Sequence, residues 1–119
     1  MLIGCSGTRD GMTREQLLAV GRHVGRLLPL EPPVLHHGGC VGADRQFHDI
    51  FRAEYGNGVR IVIHPAGDQP ADLCDWGDAD ELLPARPSLE RNRDIVAAIL
   101  GGTLYACPKG MAEEWRSGT

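Results

Sequence analysis

Residues 34–44, VLHHGGCVGAD, lead from a short apolar segment through two glycines into the start of a helical pattern. Two prolines precede the apolar segment, which predicts a buried strand over Val34–His37 that ends at Gly38. Apolar residues then recur at helical spacing from position 43 to position 51, and the glycines at 56 and 58 end the pattern. Strand, glycine turn and helix in this order form the repeating unit of a parallel α/β sheet.

The same unit repeats along the chain. Apolar runs at 1–6, 59–64 and 103–107 predict three more strands, and patterns at 12–28 and 91–100 predict two more helices. Thr13 and Gln16 form a capping box for the first of these helices, and Ser88 is expected to cap the second. Residues 65–87 are rich in proline and aspartate and predict a long loop. We therefore expect one α/β domain over 1–119, a Rossmann-like three-layer sandwich with at least four parallel strands.

Composition restricts the class of partner. The net charge of −4 argues against general affinity for nucleic acid. No segment approaches the ~20 apolar residues that span a bilayer, and no signal peptide is recognisable, so we expect no membrane contact and a cytoplasmic protein. The four cysteines form no CxxC pair, and Cys5 and Cys107 lie in apolar runs that predict buried thiols.

Loops that follow parallel strands meet at one edge of the sheet, where ligands bind. The first such loop, 4–9, offers backbone amides, two hydroxyls and a guanidinium, an inventory that suits a phosphate, although it is neither a Walker A loop nor a GxGxxG motif. In the second, 37–44, the glycines let the backbone come close to a ligand, and the N-terminus of the following helix adds partial positive charge. A side chain added at Gly39 or Gly42 is expected to occupy the phosphate position. Plain tight turns remain the alternative, with Asp44 as a helix-capping or first-turn residue. The candidate phosphate-binding residues are Ser6, Gly7, Thr8, Arg9, Gly38, Gly39, Gly42 and Asp44.

A metal site is the competing interpretation of the same region. His37 and His64 close two predicted strands, and Cys40, Asp44 and His48 are near in sequence. Catalytic zinc uses three such ligands, but no HxxxH or HxH spacing is present. We therefore expect no metal ion, and the sequence indicates no other cofactor.

Five motifs in register carry a resemblance to a known family: GCSGTR, HHGGCVGAD, IHPA, RPSLERNRDIV, and LYACPKG followed by EEWRSGT. Together they resemble the SLOG superfamily, and most closely the small bacterial and phage GGAxGAD proteins akin to the DprA Rossmann domain and the LOG phosphoribohydrolases. The resemblance implies a nucleotide, or a ligand derived from one, above the strand ends.

Further site residues follow from this resemblance alone. Arg91 and Asn92 match the family's helix-opening motif, and Ser117, Gly118 and Thr119 match its small-residue phosphate loop. In LOG-like enzymes an arginine of the first motif and a glutamate after the second act in cleaving the base from the ribose. That glutamate has no counterpart here, so Arg91 with Glu114, or with Glu113, would be the catalytic pair.

Three functions follow as hypotheses: a nucleotide-binding or nucleotide-sensing module, an N-glycoside hydrolase of nucleoside monophosphates, and a DNA or protein partner module with a vestigial cleft. The family places a further helix and strand after the GT at which this sequence stops. We therefore expect a second subunit, or residues absent from this sequence, to cover apolar surface near Leu104 and Trp115.

Overall fold

The computed structural model describes residues 1–27, 32–68 and 77–107, and the backbone of 116–117. Six strands form one sheet in the order β4-β3-β2-β1-β5-β6. The first five strands in this order are parallel, and the two-residue β6 runs antiparallel to β5. The predicted α/β class and parallel sheet are therefore confirmed. The strands are β1 Leu2–Gly7, β2 Val34–His37, β3 Arg60–Ile63, β4 Glu81–Leu82, β5 Thr103–Cys107 and β6 Arg116–Ser117.

Three helices cover the sheet: α1 Arg14–Gly25, α2 Ala43–Tyr55 and α3 Ser88–Ala98, with a 3-10 turn at Gly56–Gly58. The capping box at Thr13 and Gln16 is confirmed, since each side chain accepts a hydrogen bond from the other residue's backbone amide. The first helix ends at Gly25, short of its predicted end at Leu28, which lies outside the described residues.

Alternation along the strands divides the side chains between two faces of the sheet. One face packs on α1 and α2 and forms the main core, whose largest fully buried members include Tyr105, Phe47 and Phe51. On the other face Gly4 meets Ile95 of α3 and Ile99, the residue that caps the end of this helix, and a Cβ at Gly4 would stand 3.3 Å from Ile95. Val24 is 1% exposed, which confirms the buried face predicted for α1, and Leu17 packs beside it.

Two predictions about the second half of the chain are wrong. The stretch 65–87 is not all loop, because Glu81–Leu82 forms β4 on the edge of β3, where the amide of Leu83 donates to the carbonyl of Ile63 at 3.0 Å. Ser88 does not cap α3 but is its first residue, and its amide and hydroxyl both donate to Asp68. In each case a partner distant in sequence decides the local structure.

The thiols of Cys5 and Cys107 are buried, as predicted, and neither forms a disulfide within the described residues. Leu104 on β5 is half-buried, while Trp115 lies outside the described residues, so a covering subunit stays a prediction.

Candidate functional site

A cleft of about 500 Å³ opens at the carboxyl ends of β1 and β2, beside the first turns of α3. Seven of the predicted phosphate-binding residues lie around it. Five residues that were not predicted to bind phosphate also contribute to its wall: Cys5, Asp10, Cys40, Ser88 and Ile95. The predicted members are Ser6, Gly7, Thr8, Arg9, Asp44, Arg91 and Asn92.

The first loop is held by its backbone. The Thr8 carbonyl accepts hydrogen bonds from the amide of Ala43, at 2.9 Å, and from that of Gly11, at 3.3 Å. The Thr8 amide donates to the carbonyl of Cys107 at 3.2 Å. The first amide of α2 is thus bonded to protein, so the predicted contribution of this helix terminus to ligand binding is reduced. The side chains of Ser6 and Arg9 remain exposed at the rim.

The glycines of the second loop serve packing. Gly42 has φ +89°, and a Cβ there would collide with the backbone of Arg9 and stand 2.6 Å from the Thr8 carbonyl. The expectation that a side chain at Gly42 would occupy the phosphate position is therefore wrong, because the obstruction lies between the two loops. A Cβ at Gly38 would collide with the Arg91 guanidinium. Gly39 has φ +71° and donates its amide to Nδ1 of His37 at 2.9 Å. None of the three glycines lines the cleft.

Asp44 lies in the first turn of α2, where Gly42 is the capping residue. Its side chain turns back to the loop and accepts the amide of Cys40 at 3.3 Å, so it has the first-turn role and not the capping role. Burial raises the pKa of Asp44 to about 6, against the opposing effects of hydrogen bonds from the loop and the charge of Arg91. A carboxyl group that titrates near neutral pH therefore lines the cleft.

Arg91 is 7% exposed and joins three elements. Its Nη1 donates to the carbonyl of Gly38 at 3.2 Å and to that of His64 at 3.0 Å, and its Nε donates to Asn92 Oδ1 at 2.8 Å. The N-terminus of a helix carries partial positive charge, which disfavours an arginine in the first turns. The carbonyl oxygens that accept from Arg91 carry partial negative charge and offset this repulsion. Its Nη2 donates to no residue in the described part of the chain.

The buried histidines bond to each other. His37 Nδ1 accepts the Gly39 amide, so the proton of the neutral ring is on Nε2, which donates to His48 Nδ1 at 2.9 Å. His48 Nε2 then donates to Asp78 at 3.0 Å. His48 lies one turn beyond Asp44, a position for which the sequence leaves both the cleft and solvent open, and the structure instead buries it with bonds to His37 and Asp78. Burial, then the nearby His48, lowers the pKa of His37 to about 3.

No three histidine, cysteine, aspartate or glutamate side chains converge as a metal-binding group in the ranges that the structure describes. The residues considered for zinc are instead bonded to neighbours, as in the pair His36 Nδ1 and His64 Nε2 at 2.8 Å.

Several predicted residues have no described environment. Glu113, Glu114, Gly118 and Thr119 lie outside the described residues, and of Ser117 only the backbone in β6 is described. Two of the cleft residues that were not predicted, Ser88 and Ile95, could have been inferred from the sequence. They stand three positions before and four positions after Arg91, a spacing that places all three on the same side of α3.

A search with models of known protein families, and one among curated proteins, found no match for this chain. The resemblance to the SLOG superfamily thus rests on the motifs alone. No helix in the described residues has the length and apolar character needed to cross a membrane.

Proposed function

We propose that the cleft binds the phosphate of a nucleotide, or of a ligand derived from one, and that the protein is a nucleotide-binding or nucleotide-sensing module. The observation that carries this proposal is Arg91, a guanidinium buried at the cleft wall with one nitrogen, Nη2, unpaired within the described residues. A buried cation with an unused donor is costly unless an anion or a polar group completes its bonding.

The rest of the wall suits a phosphate. The exposed hydroxyl of Ser6, the hydroxyl of Thr8 and the guanidinium of Arg9 stand at the same cleft. Hydrogen bonds between charged partners are about twice as strong as neutral ones, and partial burial strengthens them further. The motif resemblance points to the same class of ligand.

The test measures binding of nucleoside 5′-monophosphates by calorimetry to the parent protein and to Arg91→Lys. A lysine keeps the charge but has no planar fork, so it cannot hold the two carbonyls and a phosphate together. Affinity should fall at least about tenfold, the equivalent of about 1.4 kcal/mol.

Arg93→Lys is the matched control, because Arg93 is exposed on the same helix and does not line the cleft. This variant should bind like the parent. Equal losses in both variants, or no nucleotide binding by the parent protein, would contradict the proposal.

An N-glycoside hydrolase is the second candidate, favoured by Asp44. A carboxyl group with its pKa raised to about 6 can accept a proton from water that attacks the ribose carbon, while the bond to the base breaks and the base takes up a proton. Release of free base from nucleoside monophosphates, abolished in Asp44→Asn, would support this candidate. No release by the parent protein would leave binding without hydrolysis, and no binding at all would favour a partner module with a vestigial cleft.

A further inference from the structure

A second cavity, a groove of about 430 Å³, lies at the carboxyl ends of β3 and β4, against α3. Its walls are mostly apolar, with Pro65, Leu83 and Pro84 as the main surfaces. Arg86 and Asp94 also line it, but they pair with each other at 2.9 Å, so the groove offers little net charge from these two side chains. It therefore suits an uncharged, largely apolar group.

Arg91 is common to this groove and to the phosphate cleft, since its side chain lines both. Its Nη1 bonds the carbonyls of Gly38 and His64, which follow β2 and β3 respectively. The guanidinium thus lies at the boundary between the two cavities. A ligand bound to Arg91 through a phosphate in the cleft has a neighbouring apolar space on the other side of the same side chain.

His64 gives the groove one specific polar contact. The residue is 6% exposed and lines the groove, and its Nε2 is bonded to His36. Its Nδ1 bonds to no described residue. Burial, then the nearby His36, lowers the pKa of His64 to about 4, so the ring is neutral at pH 7. Either His36 Nδ1 or His64 Nε2 can donate in the hydrogen bond between the two rings. When His64 Nε2 accepts, its Nδ1 has the proton and is a donor, and when His64 Nε2 donates, its Nδ1 is an acceptor.

We infer that this groove is the site for a heteroaromatic ring, the base of the nucleotide, held between Leu83 and the prolines with its polar edge at His64. A flat ring with a hydrogen-bonding edge matches an apolar slot with one buried, adaptable nitrogen. The inference rests on the proposed function and deepens it, because it places the second half of the ligand.

The experiment compares calorimetric titrations with inorganic phosphate, ribose 5-phosphate and the 5′-monophosphates of adenosine, guanosine, cytidine and uridine. For the parent protein at least one monophosphate should bind at least about tenfold more tightly than ribose 5-phosphate. In Leu83→Asp this ratio should fall to near one, while ribose 5-phosphate binds as before. Leu82→Asp is the matched control, since Leu82 is 65% exposed and does not line the groove, and it should keep the parent ratio.

Two results would overturn the inference alone: ribose 5-phosphate that binds the parent as tightly as every monophosphate does, or an unchanged ratio in Leu83→Asp. Absence of binding by all of these ligands would instead contradict the proposed function, and the inference with it. If Leu83→Asp does not fold, Leu83→Ala serves in its place. Its preference for the monophosphate over ribose 5-phosphate should be at least about threefold lower than that of the parent. An unchanged preference would contradict the inference.

Discussion

Acid should destabilise this protein through His37, whose two ring nitrogens are both committed to hydrogen bonds. A second proton would have to enter at Nδ1, which already accepts the Gly39 amide at 2.9 Å. Protonation in the folded state thus breaks this bond and places a charge in the core, because the residue is fully buried. The unfolded chain has no such restriction.

The magnitude follows from the two pKa values. Burial lowers the pKa of His37 from 6.5 to about 3, so below pH 6.5 the unfolded chain binds a proton that the folded protein rejects. Stability then falls as pH falls, by about 1.4 kcal/mol per pH unit, which gives about 2 kcal/mol between pH 7 and pH 5. His36 and His64 act in the same direction, because burial lowers both of their pKa values.

Asp44 opposes this effect in the same range. Its pKa is raised from 3.8 to about 6, so the folded protein takes up a proton there before the unfolded chain does. This uptake stabilises the folded state by about 1 kcal/mol at pH 5. Three buried histidines reduce the stability over this pH range and one carboxyl group increases it, so the net change between pH 7 and pH 5 should be a loss of stability.

Urea unfolding at pH 7 and pH 5 measures the effect, with His37→Asn as the comparison. Asparagine can keep an acceptor for the Gly39 amide but does not titrate. The variant should be less stable at pH 7 and should lose about 2 kcal/mol less than the parent on going to pH 5. Equal losses in the two proteins would refute the argument from His37.

Three other outcomes are expected. Gly42→Ala should destabilise the fold by about 1–3 kcal/mol in urea unfolding, because φ is +89° and the added carbon meets the backbone of Thr8 and Arg9. Gly21→Ala should instead stabilise it by about 0.5–1 kcal/mol, because the added carbon inside α1 would meet no other part of the structure within 4 Å. Destabilisation of similar size at both glycines would be inconsistent with this account. Phe47→Ala should cost about 3–5 kcal/mol, because the ring is fully buried, and a loss below 1 kcal/mol would show that the packing is misjudged. Sedimentation should show a homo-oligomer at micromolar concentration that Leu100→Lys weakens, because Leu100 is 75% exposed in the turn after α3 and lines the same shallow surface pocket as Leu104. A monomeric parent would disprove it.

The sequence predicted the elements that local signals specify. The capping residues at Thr13 and Gln16, the β-branched run of β3 and the glycines after β2 each fix a boundary with neighbours in sequence. The edge strand β4 was not predicted because a strand of two residues is too short to show an alternating pattern of apolar and polar side chains. Its pairing depends instead on the backbone of β3. The start of α3 was misassigned because Asp68, twenty residues away, bonds Ser88.

The candidate site was predictable in its loops and less so in its chemistry. The rule that ligands lie beyond the carboxyl ends of parallel strands selected Ser6, Thr8 and Asp44, whereas Arg91 followed from the family resemblance alone. The sequence could not show that Nη1 of Arg91 is bonded to two carbonyls, or that the histidines pair with each other, because these contacts join residues up to 53 positions apart. Their partners depend on how the strands are placed side by side.

A crystal structure of the protein with a nucleoside 5′-monophosphate would show whether a phosphate binds at Arg91. A phosphate oxygen should lie within hydrogen-bonding distance of Arg91 Nη2, with the hydroxyl of Ser6 or Thr8 on another oxygen of the same group. A nucleotide whose phosphate lies away from this cleft, with Nη2 bonded to a protein group or to water alone, would contradict this prediction.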